Sequence, residues 1–377
     1  MKKKVLIWGY YGAENFGDDL IFNSLFHLIN EGQNDYQLFY TVKDKKATYD
    51  LDAEPVEFFT KRKSNKALNF LSNIKHVFAT VKKMDAIIIG GGTQYFEIKE
   101  RKPISILLKY IACKRIQSKG GKFINAGVGI GEIKTKLGKY CLKQLFNKAD
   151  YSFVRDEKSK QILEGLGVEA NKVDLGMDLS YYHQEQPKLA KSSKSNIQIG
   201  LNFFDFYDYI EKDSKKRSES INSIKAFITA SKTQFNADVH LFALQKGSGG
   251  RDYEFMQELK VDCDLHFYNE NQPQFMSLMT SMDFNIGLRY HFAVVSLQYG
   301  IPTIGINYQP KVRRELTKFG LEDYVLEMDE VNGESLQSLF QKLQKNKEAT
   351  IEQIAQQNNQ IKQILNIQKF KDVCNNL

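Results

Sequence analysis

Arg289, Tyr290 and His291 have the types and spacing for anion chemistry. They interrupt a mostly apolar run, Met282–Leu288, and Phe292–Leu297 then resumes as a helix closed by Gly300. Pro302 opens a second apolar run, Thr303–Ile306, which reads as a buried parallel strand, and Lys311 follows it. In an open α/β sheet, ligands bind in the loops beyond the carboxyl ends of the strands. The pattern puts Arg289 and His291 in one such loop and Lys311 in the next. Two fixed cations and a titratable imidazole at a helix start suit a small, doubly charged anion. Taken alone, an arginine at a strand end reads as a surface ion pair and a lone histidine as a structural residue. R-x-H followed by P-K-V one strand later favours function.

The elements that must position these residues alternate strand and helix along the chain. Lys4–Gly9 reads as a strand, Tyr10–Gly17 as a glycine loop and Asp18–Ile29 as a helix, the first unit of a Rossmann-like domain. The spacing G-x-x-G-x-x-x-x-G is not the dinucleotide fingerprint, which argues against a dehydrogenase. Asp18 is expected to cap the helix, leaving Asp19 in the first turn to point into the cleft as a general base. Met84–Gly92 is the clearest buried strand of this half, and Arg155 ends another, Tyr151–Val154, with Asp156 as its local partner. A polar segment at 184–196 reads as a linker. The expected division is 1–183, linker, 197–345, and a helical tail at 346–377 in which 350–373 is one long helix.

Two blocks, Gly9–Leu20 (GYYGAENFGDDL) and Ile286–Val312, resemble the signature of the polysaccharide pyruvyl transferase family, and the likeness covers most of the chain. The resemblance implies an α/β fold of two Rossmann-like domains facing across a cleft, like the B-type glycosyltransferases. It implies a ketal-forming transferase that moves pyruvate from phosphoenolpyruvate onto two hydroxyls of a free or lipid-linked sugar, in surface polysaccharide biosynthesis. Arg289, Tyr290, His291 and Lys311 on the C-terminal side, with Arg155 from the N-terminal domain, would then hold phosphoenolpyruvate. His291 would be the acid and Asp19 the base. Tyr10, Tyr11, Glu14 and Asn15 would meet the acceptor on the N-terminal side. The acceptor sugar is not legible. Two other classes fit the same residues: a B-type glycosyltransferase gripping the diphosphate of a nucleotide sugar, and a non-catalytic sugar-phosphate binding protein.

Composition narrows the setting. The chain has 377 residues, 42% hydrophobic, with a net charge of +8. It shows no nucleic-acid-binding signature, so an anionic substrate or membrane surface explains the excess charge with fewer assumptions. Four cysteines, Cys113, Cys141, Cys263 and Cys374, lack ligand-like spacing and read as reduced thiols in a cytoplasmic protein. No essential metal or cofactor is expected. Residues 61–83 hold seven Lys or Arg and no acid, with Leu68, Leu71, Ile74, Phe78 and Val81 at helical spacing. This basic amphipathic helix is expected either to cover the core or to touch an anionic membrane through Lys61, Arg62, Lys63, Lys66 and the apolar stripe.

Overall fold

The structure is a computed structural model that describes residues 2–31, 36–42, 49, 51–59, 65–97, 103–183, 195–247, 251–269, 271–365 and 367–377. The chain forms two compact units. The first holds Met1–Ala13, Asp18–Gln184 and Leu365–Leu377; the second holds Glu14–Gly17 and Glu185–Ile364. Most of the expected linker lies outside the described residues.

The first unit contains β1 (Lys3–Tyr11), β2 (Tyr36–Val42), β3 (Ala53–Val56), β4 (Ala86–Gly90), β5 (Thr93–Tyr95), β6 (Lys122–Ile130), β7 (Tyr151–Val154) and β8 (Asp174–Leu175). They form a parallel sheet in the order β3-β2-β1-β4-β6-β7-β8, with β5 added against β6. The order reverses between β1 and β4, which makes this the unit's topological switch point. Every residue of β4 is buried, as expected of a central parallel strand covered on both faces. Sequence reading passed over β2 and β3. β2 is short and mixes Gln and Thr into its apolar residues, and β3 carries Glu54 and Pro55, so neither shows a continuous apolar run.

The second unit contains β9 (Ile197–Asn202), β10 (Ala237–Ala243), β11 (Asp264–Phe267), β12 (Phe284–Gly287), β13 (Thr303–Asn307) and β14 (Val325–Glu327). The order is β11-β10-β9-β12-β13-β14, all parallel. Counted within the unit this is 3-2-1-4-5-6, the doubly wound order, with its switch point between β9 and β12. Both expected Rossmann-like domains are therefore present.

Two expectations about helices change. The long C-terminal helix is two helices, Lys347–Ile364 and Gln368–Asn375. The second is no tail. Phe370, Cys374 and Leu377 are buried in the core of the first unit, and the Phe370 ring lies 5.5 Å from Phe153. Tyr36 donates to the Cys374 carbonyl at 2.6 Å. The break follows from these apolar residues being buried in a different core from the one that takes Ile354 and Ile361. The basic helix runs Lys66–Lys83, capped by Asn65, whose side chain accepts from Ala67 N at 2.9 Å and Leu68 N at 3.2 Å. Val77 and Val81 are core, and Ile74 and Phe78 pack against it. Those two are therefore not available to a membrane, whereas Leu68, Phe70 and Leu71 are exposed. Residues 61–64 lie outside the described set. Among the described residues, no helix is long and apolar enough to cross a membrane.

The docking of the last helix makes a prediction. Phe370→Ala should destabilise the first unit by about 3–5 kcal/mol, the usual cost of removing a buried phenylalanine. Urea denaturation followed by tyrosine fluorescence measures it. A change within about 1 kcal/mol would mean that the C-terminal segment adds little to that core.

Candidate functional site

In the second unit the switch point is built around Asn202, the last residue of β9. It is fully buried. Its Nδ2 donates to the Phe242 carbonyl at 2.8 Å, and its Oδ1 accepts from Arg289 N at 2.9 Å. Leu288 N donates to its carbonyl at 3.0 Å. One asparagine thus ties the ends of β9, β10 and β12 together and fixes the backbone from which Arg289 projects.

The Arg289 side chain does not face solvent alone. Its Nε lies 3.1 Å from both carboxylate oxygens of Asp252, and Nη2 also donates to Asp252. Asp252 opens the helix Asp252–Glu258 and is fully buried. Burial opposes the charge on Arg289, but Asp252 beside it holds the guanidinium pKa above its ordinary value. For Asp252 burial pushes the pKa up, and Arg289 pulls against it. The guanidinium also lies 4.3 Å above the Phe204 ring. The Tyr308 phenol, raised by burial, is eased by the same guanidinium. The expected anion grip by Arg289 is therefore corrected in part: its charge is already offset by Asp252. Sequence reading missed that acid because the loop before it resembled an ordinary glycine-rich connection.

The helix Tyr290–Gln298 starts directly after Arg289, and Pro310–Lys318 starts after β13. Neither N-cap side chain, Arg289 or Gln309, caps its helix, and at the second start Asn307 Oδ1 accepts from Arg313 N at 3.2 Å. The helix dipole favours an anion at both starts. His291 lies in the first turn of one helix and Lys311 in the first turn of the other. The Lys311 ammonium stands 5.7 Å from the Tyr290 ring and 6.0 Å from the Tyr308 ring. Tyr290 itself is buried, and its hydroxyl donates to Glu315 at 3.1 Å. It is better described as packing beneath Lys311 than as a ligand to anion.

Glu14–Gly17 belongs to this unit through its contacts. Asn15 bridges Gln245 in antiparallel fashion, Phe16 N donates to the Leu244 carbonyl at 3.0 Å, and the Phe16 ring packs on Tyr268 and Phe275. Gly17 then meets His291 so closely that a Cβ built on it would stand 1.9 Å from the imidazole Nδ1. The motif glycine is thus needed for space beside the histidine. Asn15 is not left for a sugar. Its Oδ1 accepts from Gly17 N at 3.0 Å, and its Nδ2 reaches Gln245 at 3.4 Å. The helix begins at Phe16, so Asn15, and not Asp18, is its cap. Glu14 is exposed, with a left-handed backbone at φ 51°.

The remaining expected residues lie in the first unit. Tyr10 is half exposed there. Tyr11 is core, its hydroxyl donating to the Gly90 carbonyl at 3.0 Å, so it offers nothing to an acceptor. Asp19 is 1% exposed. It accepts from the Tyr49 hydroxyl, which in turn accepts from Gly12 N at 2.8 Å. The carboxylate of the expected base thus fastens the glycine loop. Arg155 donates to Asp178 and to Thr93, each at 3.0 Å, and its Nε lies 3.4 Å from Asp156. Gly129 leaves room for it, since a Cβ there would stand 2.7 Å from Nε. Two carboxylates lie against this arginine, which ties β7 to the 178 loop and to Thr93. One group of metal-ligating types, His240, Asp264 and His266, lies elsewhere in the second unit.

A family model described as polysaccharide pyruvyl transferase matches residues 15–310. Solved structures share the fold. UDP-GlcNAc 2-epimerase from Methanocaldococcus jannaschii is 9% identical at a TM-score of 0.59, with 90% of this chain and 92% of that one covered. The epimerase from Neisseria meningitidis, bound to UDP-GlcNAc, is 12% identical at 0.59, with 93% and 94% covered. Anabaena HepE in complex with UDP-glucose is 12% identical at 0.56, with 98% of each chain covered. At such identities the likeness concerns the fold alone. No curated protein matches the chain.

The Arg289–Asp252 pair makes a prediction. Asp252→Ala leaves a buried guanidinium without its counter-ion and should cost about 3–5 kcal/mol of stability. Denaturant titration of the second unit's unfolding measures it. Loss below about 1 kcal/mol would mean that the pair behaves as a surface contact.

Proposed function

Because the chain belongs to the polysaccharide pyruvyl transferase family, we propose that it moves pyruvate from phosphoenolpyruvate onto two hydroxyls of a sugar, closing a cyclic ketal. One observation carries the donor assignment: His291 and Lys311 stand in the first turns of two helices at the ends of neighbouring strands β12 and β13. Phosphoenolpyruvate carries a phosphate and a carboxylate on one enol carbon. Lys311 supplies a point charge for phosphate, and the helix starts supply N–H donors. Arg289, fixed by Asp252, shapes the site and contributes little net charge.

The reaction needs a proton on the methylene carbon and an open C2. Protonated His291 gives its proton to the methylene, which becomes methyl, and C2 becomes cationic. A sugar hydroxyl adds to C2, and its proton returns to the neutral imidazole. A second hydroxyl of the same sugar then displaces phosphate, which leaves with that hydroxyl's proton. The products are the pyruvate ketal and hydrogen phosphate. Resident metal has no assigned part in these steps.

The second reading is a transferase using a nucleotide sugar, whose diphosphate would suit the same two helix starts. Thermal melting with phosphoenolpyruvate against UDP-sugars separates the two, since a ligand that binds the folded state raises the melting temperature. A screen of sugar acceptors, following phosphate release and the mass of the product, then identifies the acceptor.

Two predictions belong to this reading. His291→Ala should abolish turnover while phosphoenolpyruvate still raises the melting temperature. Gly17→Ala should also lower the rate, because the added methyl displaces the imidazole. Lys311→Ala should instead weaken phosphoenolpyruvate binding by about 1.5–3 kcal/mol. Calorimetry and initial rates check all three, and near-normal turnover in His291→Ala would remove the proposed acid. The acceptor, if lipid-linked, would be met at a membrane, and the exposed Leu68, Phe70 and Leu71 on a basic helix give the means. Binding to anionic vesicles should then fall as salt rises and fall further in Leu68→Ser/Leu71→Ser. Equal sedimentation of wild type and variant with vesicles would remove the helix from that role.

A further inference from the structure

The strand pair β10–β11 carries a cluster that the anion site does not use. His240 lies on β10. Asp264 and His266 lie two residues apart on β11, so their side chains share one face. The register sets His240 beside Asp264 and Phe242 beside His266. His240 Nδ1 stands 3.1 Å from His266 Nε2 and 3.7 Å from the Asp264 carboxylate. All three ligand atoms lie within 4.8 Å of one another. Around a tetrahedral zinc ion, with bonds near 2.0–2.2 Å, ligand atoms stand about 3.3–3.5 Å apart. The two separations from His240 bracket that value.

The far side of His240 fixes its tautomer. The Gln198 amide nitrogen donates to the Asn196 carbonyl and to Asp238, each at 2.9 Å. The amide oxygen is therefore the atom that faces His240, 3.0 Å from Nε2. Nε2 must carry the hydrogen and donate it. The lone pair is then on Nδ1, on the side of His266 and Asp264. A distal N–H tied to a carbonyl is how outer partners orient metal-binding histidines. Asp264 is exposed, so an ion has an entry path and water can complete the coordination. Two imidazoles and one carboxylate suit zinc and its transition-metal neighbours better than magnesium or calcium.

We propose that His240, Asp264 and His266 bind one zinc-class divalent cation, which clips the edge strand β11 to β10. Sequence spacing does not reveal this grouping because its residues come from two separate strands. The site is separate from the pyruvyl-transfer reading and stands or falls without it.

The test is equilibrium dialysis of the full chain, first stripped with chelator, against zinc ion alone, with bound zinc read by atomic emission. One zinc per chain should be retained at micromolar free metal, with a rise in melting temperature that magnesium does not give. His266→Ala and Asp264→Asn should each weaken binding at least about tenfold. Asp264 is exposed, so its variant answers the question even if His266→Ala folds poorly. Cys263→Ser, beside the cluster, should bind as wild type. The proposal is overturned if no zinc is retained, if both ligand variants bind with wild-type affinity, or if loss follows Cys263→Ser alone. Retention of no zinc would leave the two histidines sharing a proton as a structural pair.

Discussion

The second unit depends on a buried ion pair. Arg289 projects from the switch point, where the sheet order reverses, and Asp252 is fully buried against it. Such a pair adds little net stability over apolar residues of the same size, but losing one partner is costly. Its value is therefore geometric. It holds the start of the helix Tyr290–Gln298 against the end of β10, while Asn202 fixes the backbone between them. The start of the helix that carries His291 is aimed from that fixed frame.

His291 is the clearest case. Its ring is set on one side by the first turn of its own helix and on the other by Gly17, which arrives from the far end of the sequence. Phe16 anchors that segment between Tyr268 and Phe275. The two blocks that carry the family resemblance are thus in direct contact. Motif glycines are commonly read as backbone freedom, but here the required feature is the missing Cβ, because Gly17 lies in ordinary helical conformation.

Much of the architecture was legible because buried parallel strands write themselves as short apolar runs. Ile87–Ile89 and Thr303–Ile306 are examples, and the glycine loop before Phe16 marked the first strand-to-helix turn. The site was legible as residue types and not as partners. Arg155, Arg289, Asp19, Tyr11 and Asn15 were all picked out, yet each is spent on a neighbour that lies far away in sequence or presents no pattern. Asp178, Asp252, Tyr49 and Gly90 give no local signal. The same holds for the C-terminal helix: its polar composition suggests a solvated tail, and Phe370, Cys374 and Leu377, with Ile367 and Val373 packed alongside, carry it into a core.

The two units use the same device with opposite electrical results. Each ends a strand with an arginine and encloses it with carboxylates. Around Arg155, Asp156 and Asp178 leave an excess of negative charge, and the residue is locked by Thr93 as well. Around Arg289, Asp252 brings the pair to neutrality, and Lys311, His291 and two helix starts are then added. Coulomb attraction in a partly desolvated loop grows as the effective dielectric constant falls, so the balance of charge at a strand end counts for more there than in open water. In the proposed reading a doubly charged donor is drawn by that balance, not by the presence of an arginine alone.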